Sequence, residues 1–202
     1  LTNGQLTDDN KPTLSGTAVA GSLVRIYDGS TLLGSVVATN GTWSFTPTSP
    51  LTDGSHTLRA TASDPAGNAS GDSNTFTLVV DATAPNAPAI TSIVDDVGSI
   101  TGPVTSTTPT NDTQPALNGT AEANSVVRIY DGTTLVGQVT ADANGNWSLP
   151  QTTTILSDGQ HNFTVTATDA AGNTSAASPV TSIVVDTVAP LVPGRRHWCC
   201  LL

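Results

Sequence analysis

Hard cations such as calcium take six to eight oxygens from carboxylates, carbonyls and Asn side chains. The sequence supplies them in clusters, since fifteen of its sixteen acids are Asp and only Glu122 is Glu. Asp81 is followed by Ala82-Thr83-Ala84-Pro85, whose carbonyls add oxygens, and strand alternation sets it towards the turn carrying Asp169 and Asn173. A calcium site between two domains is expected there, with Asp64 and Asn68 the equivalent turn facing a preceding domain. A second group joins adjacent Asp95 and Asp96 with Asp131 and Asp112, and Asp8, Asp9 and Asp28 partly echo it. Crowded carboxylates repel unless protonated or metal-bound, so calcium is expected to stabilise the fold. For any single Asp the competing reading is turn chemistry, in which the side chain caps its own loop. Asp53 and Asp158 read as ordinary hairpin turns in this way.

Catalysis needs a nucleophile beside a base, or paired acids in a pocket. His56 and His161 occupy equivalent positions in a repeated pattern, which favours a structural role. Phosphate-loop, Gly-x-Ser-x-Gly and His-Glu-x-x-His motifs do not occur. Tyr27 and Tyr130, with Arg25 and Arg128, offer aromatic faces on which a sugar could stack, against simple outward packing. The expectation is no enzyme.

The elements that position these residues follow from an internal repeat, sought first because it decides the fold. Shifting the 202-residue chain by 103 to 105 positions aligns it with itself. Val24-Arg25-Ile26-Tyr27-Asp28-Gly29 returns as Val127-Arg128-Ile129-Tyr130-Asp131-Gly132, and Asn40-Gly41-Thr42-Trp43-Ser44 as Asn144-Gly145-Asn146-Trp147-Ser148. Asp64-Pro65-Ala66-Gly67-Asn68 answers Asp169-Ala170-Ala171-Gly172-Asn173, and Val79-Val80-Asp81 answers Val184-Val185-Asp186. The period is one whole domain.

Two-residue alternation marks half-buried antiparallel strands: Phe76, Leu78 and Val80 share one face, as do Phe163, Val165 and Ala167. Asp-Gly and Asn-Gly pairs between them supply tight turns. In the second copy strands are expected near 89–94, 116–121, 126–130, 135–140, 147–149, 161–168 and 180–185. The fold class is therefore all-β: two tandem immunoglobulin-like β-sandwiches of about seven strands, without the inter-sheet disulfide and with Trp43 and Trp147 in the cores. The expected boundaries are a repeat over 1–81 lacking its first strand, a Pro-containing linker over 82–88, a repeat over 89–186, and a last segment over 187–202. Pro85 and Pro88 favour an extended, semi-rigid joint. The missing strand exposes an edge, so the first domain is expected to be the weaker.

Composition narrows the partners. A formal charge of −10 repels a phosphate backbone, which excludes nucleic acid as the expected ligand. No stretch reaches eighteen apolar residues, so no membrane span is read. Both cysteines are adjacent, Cys199 and Cys200, within a basic, aromatic segment after Pro190 that breaks the repeat and is expected to be disordered.

In order and twice over, the motifs resemble the bacterial immunoglobulin-like repeats of giant biofilm-associated and type I-secreted surface adhesins. The specific parts are Leu1-Thr2-Asn3-Gly4 with Thr7-Asp8-Asp9, the Ile-Tyr-Asp-Gly turns, Asn-Gly-x-Trp-Ser, Asp-x-Ala-Gly-Asn and the joining Val-Asp-x-x-Ala-Pro. The resemblance implies a monomeric, extracellular or cell-surface stalk segment. Its immediate partners are neighbouring repeats of the same chain, stiffened by calcium, and a host-cell or biofilm-matrix ligand is bound by other parts of the protein. The alternative is a carbohydrate- or protein-binding module of a secreted bacterial protein.

Overall fold

The computed structural model describes residues 1–98 and 101–191. Every regular element among them is a strand. The disorder expected over 191–202 falls, apart from Leu191, on residues outside those described.

The first repeat contains seven strands: β1 (Gln5–Thr7), β2 (Leu14–Thr17), β3 (Leu23–Asp28), β4 (Thr31–Val37), β5 (Thr42–Phe45), β6 (Gly54–Ser63) and β7 (Phe76–Val80). One sheet has the order β1-β7-β6-β3-β4, and the other holds β2 and β5. All pairings are antiparallel except β1 with β7, which run parallel with Gln5 opposite Leu78 and Thr7 opposite Val80. The sequence reading did not anticipate β1, because three residues are too few to show an alternation.

The second repeat adds β8 (Ala89–Asp95), β9 (Gly102–Pro103), β10 (Ala116–Thr120), β11 (Val126–Asp131), β12 (Thr134–Thr140), β13 (Asn146–Leu149), β14 (Gly159–Thr168) and β15 (Thr181–Val185). Its sheets are β13-β10-β8-β9 and β12-β11-β14-β15. Seven of these coincide with the expected strands, and β9 is a two-residue addition antiparallel to the end of β8. Among the described residues the first repeat shows no counterpart of β8, and β2 pairs only with β5.

That difference governs the cores. In the second repeat one cluster gathers thirteen buried apolar residues, including Ile93, Leu117, Trp147, Phe163 and Ile183. The first repeat has a cluster of four (Leu51, Leu58, Leu78, Val80) and one of three (Val24, Ile26, Ala38). Trp147 is 3% exposed, whereas its counterpart Trp43 is only half-buried. At about 25 cal/mol per Å² of apolar surface, uncovered strand faces matter to a domain with only about 5–15 kcal/mol of net stability. Calorimetry is therefore expected to show two transitions, the lower belonging to the first repeat. A second repeat that melts first contradicts this account.

Candidate functional site

Most of the aspartates close their own turns. Asp64 Oδ1 accepts the Asn68 N–H at 2.8 Å and Oδ2 accepts Asn68 Nδ2 at 2.8 Å. Asp169 repeats the motif, with Gly172 N at 2.8 Å and Asn173 N at 2.9 Å on Oδ1 and Asn173 Nδ2 at 2.8 Å on Oδ2. Hydrogen bonds from Asn68 hold the Asp64 carboxyl below its ordinary pKa. At Asp169 burial pushes upward, but bonds from Asn173 and Gly172 outweigh it and the pKa is lowered. Asp53 accepts Ala82 N and Thr83 Oγ1, and Asp158 accepts Thr187 N and Oγ1, which pins the end of each repeat to its hairpin.

The chain forms two compact units, one of Leu1–Asn86 with Asn124–Val126 and Ala167–Ala176, the other of the remainder. Within the first unit Asn173 Nδ2 also donates to the Asp81 carbonyl at 2.7 Å, so Asp81, Asp169 and Asn173 do come together. Their meeting is through the Asp81 carbonyl, while the Asp81 carboxylate accepts Thr83 N at 3.3 Å. Asp8 Oδ2 lies near Gly172, 3.7 Å from where a Cβ there would stand. Asp64 and Asn68 are exposed.

The second group divides. Asp95 and Asp112, 7% and 2% exposed, both engage Thr110: its Oγ1 donates to Asp95 Oδ2 at 2.5 Å and accepts from Asp112 N at 3.0 Å. Asp112 Oδ1 accepts Gln114 N at 2.8 Å, but its Oδ2 is buried with no partner. An orphaned buried carboxylate oxygen is costly, and it is the kind of vacancy a cation fills. Asp96 beside them is exposed. In the first repeat Asp9 repeats part of this arrangement, its N–H on Thr7 Oγ1 and its Oδ1 on Lys11 N, but it stays exposed without a β8 above it.

Asp131 and Asp28 lie elsewhere, each clamping a histidine. Asp131 Oδ2 meets His161 Nδ1 at 2.6 Å while Oδ1 accepts Asn162 N at 2.9 Å. Asp28 does the same with His56 Nδ1 at 2.6 Å and Thr57 N at 3.1 Å. The opposite ring nitrogens face backbone carbonyls, His161 Nε2 to Ser157 O at 2.8 Å and His56 Nε2 to Thr52 O at 2.7 Å. A carbonyl only accepts, so Nε2 carries hydrogen, and a carboxylate facing Nδ1 favours a hydrogen there as well, which stabilises the imidazolium form of each ring. Burial pulls both histidine pKa values down, but the Asp hydrogen bond, the carbonyl bond and the Asp charge outweigh it, and both are raised. With both nitrogens engaged, neither ring is placed to take a proton from a nucleophile.

Among the described residues no three His, Cys, Asp or Glu side chains gather as a metal-binding group. A cation would therefore draw on few carboxylates plus neutral oxygens: Asp95, Asp112 and Thr110 fit this through the orphaned oxygen, whereas the Asp169 and Asn173 side chains already satisfy each other. The sugar-stacking reading loses one face of Tyr27, because the Arg59 guanidinium sits 4.4 Å from its ring centroid and is ion-paired with Asp72. Among the described residues no helix is long and apolar enough to cross a membrane.

Two facing sheets joined by antiparallel strands, repeated along one chain, define a tandem immunoglobulin-like protein. The chain belongs to the bacterial Ig-like domain family, whose model matches residues 2–82 and again 87–187. It is 33% identical over 186 residues to chitinase A1 of Niallia circulans, covering 86% of this chain and 23% of that protein. Against exoglucanase B of Cellulomonas fimi the identity is 31% over 180 residues, covering 84% of this chain and 15% of that one. The chain thus spans less than a quarter of these relatives. Among solved structures it is similar in fold to the fibronectin(III)-like modules of Clostridium thermocellum CbhA, at TM-score 0.51 and 17% identity over 91% of this chain and 90% of that one.

Proposed function

We propose that the chain is a non-catalytic spacer segment of a large extracellular bacterial adhesin, one that carries a distal binding region away from the cell in adhesion and biofilm formation. The observation that carries this reading is the duplication itself: both repeats commit their Asp and His side chains to the same turns and clamps, and neither assembles a nucleophile, base and pocket. The order of motifs adds the likeness to adhesin repeats. In this reading calcium stiffens the tandem, bound at Asp95 and Asp112 with Thr110 and, by displacing the pairing of Asp169 with Asn173, at the cluster these two form with the Asp81 carbonyl. Extracellular modules of this kind bind calcium at about 10⁻⁴ to 10⁻³ M.

Small-angle scattering and thermal melting with and without about 1 mM calcium test the reading. Calcium is expected to raise melting and lengthen the particle; Asp112→Ala is expected to cancel part of the melting shift and Asp169→Ala the lengthening. No response in either quantity removes calcium from the mechanism and leaves a metal-free spacer. The matches to an exoglucanase and a chitinase favour a second reading, a spacer or carbohydrate-binding module within a secreted polysaccharide-degrading protein. Glycan binding lost on Tyr130→Ala would put that reading first.

A further inference from the structure

We infer, resting on the cation site proposed above, that this site is a latch on the last strand of the second repeat: a cation held by Asp95 and Asp112 fixes Thr110, and Thr110 holds the end of β15. Three parts of the repeat meet at Thr110. Its main chain is paired to β15 through both of its polar groups, the N–H donating to the Val184 carbonyl at 2.9 Å and the carbonyl accepting the Asp186 N–H at 2.8 Å. Its hydroxyl donates to Asp95 Oδ2 at 2.5 Å, and the same oxygen accepts the Asp112 N–H at 3.0 Å. Asp95 ends β8, which belongs to the other sheet, so this one buried side chain ties the two sheets together.

The main-chain part of that tie is slight. Thr110 meets β15 at the single parallel bridge to Val185, whereas β14 pairs with β15 over five residues. The bridge therefore depends on what fixes Thr110 from its other side, and those groups are the two carboxylates. The hydroxyl has one hydrogen, and it is given to Asp95. Asp95 Oδ1 accepts the Val97 N–H at 2.8 Å and Asp112 Oδ1 the Gln114 N–H at 2.8 Å, while Asp112 Oδ2 is buried without a partner. The loop after β8 closes on the same segment, with Asn111 Nδ2 3.2 Å from where a Cβ on Gly98 would stand.

Two buried carboxylates that converge on one hydroxyl repel each other, and the repulsion acts to part the end of β8 from residues 110–112. With a cation at the free oxygen both carboxylates are drawn to a common centre, and Thr110 is held against β15. The hold extends to the last residues of the repeat: Asp186, whose N–H Thr110 accepts, itself accepts the Val188 N–H at 3.0 Å, and Asp158 accepts the Thr187 N–H at 2.9 Å.

The test is amide hydrogen exchange of the full chain at about 1 mM calcium and in calcium-free buffer, with melting recorded on the same samples. Calcium is expected to slow the Thr110 and Asp186 amides at least about tenfold. Ala121, whose N–H donates to the Gly145 carbonyl at 2.8 Å beyond the far end of β10, is expected to slow by less than about threefold. Asp112→Asn keeps an acceptor for the Gln114 N–H but removes the charge, and it is expected to abolish both the selective slowing and the calcium-dependent rise of the upper melting transition. Thr110→Val, which keeps the main-chain pairing and removes the hydroxyl, is expected to lose the slowing at Asp186. A rise in melting without selective slowing leaves the cation site standing and overturns the latch, and no response in either quantity overturns both. The latch also fails if either variant is slowed as the wild type is, or if Ala121 slows as much as Asp186.

Discussion

Asp131→Ala is expected to lower the stability of the second repeat by about 2–4 kcal/mol, because it leaves the buried His161 ring with one carbonyl partner, removes the carboxylate that favours its charged form, and uncaps the Asn162 N–H at 2.9 Å. It is also expected to change how stability depends on pH. The folded pKa of His161 is raised, so its contribution is full below the ordinary value of 6.5 and disappears as pH rises through the elevated folded value. Denaturant unfolding of the wild type from about pH 5 to about pH 9 should therefore show stability falling above neutrality, and Asp131→Asn, which keeps an acceptor but removes the charge, should flatten that fall. The His56 and Asp28 pair imposes the same dependence on the first repeat. A wild-type profile flat across this range would mean that the rings are neutral in the folded chain.

Gly119→Ala is expected to be nearly as damaging, at about 3 kcal/mol or more, and the equivalent Gly16→Ala milder, at about 1–2 kcal/mol. At Gly119 the new methyl would contact the Ala89 carbonyl, a backbone group that moves only if β8 moves, and the Trp147 ring beneath it. At Gly16 the obstacle is the Trp43 side chain alone, at 2.7 Å, in a half-open groove where the ring has room to turn. Neither glycine has a positive φ, so the cost is steric rather than conformational. Calorimetry of the two variants separates the effects, because each acts on a different transition; equal losses would show that β8 does not press on Gly119.

The strands were readable because each of their signals is local. Phe163, Val165 and Ala167 alternate within one segment, and Asp-Gly or Asn-Gly pairs close the turns at either end, so β14 and its neighbours needed no knowledge of their partners. The fate of the carboxylates was not local. Asp131 and Asp112 look alike in sequence, yet one ends on a histidine thirty residues away and the other is buried with a free oxygen. A usable signal did exist for the clamp: Asp28 with His56 and Asp131 with His161 recur at nearly the same separation in both copies. Two polar residues of opposite character repeated together are better explained by contact than by two independent turns. For Asp112 no such signal was present, since it is linked to Asp95 of β8 through Thr110, and the counterpart Asp9 in the first copy is exposed.

The parallel pairing of β1 with β7 bears on load. Parallel pairing places the start of β1 and the end of β7 at opposite ends of the pair. A tensile force between them slides one strand along the other, so the pairing bonds from Gly4 N on Thr77 O at 2.8 Å to Asp81 N on Thr7 O at 2.9 Å are strained in shear together. Bonds loaded in shear must fail together, whereas bonds peeled from one end fail in turn. The second repeat keeps this arrangement in shorter form, with Thr110 paired parallel to Val185, so what resists traction in each repeat is a different set of bonds from the core packing that sets its order of melting.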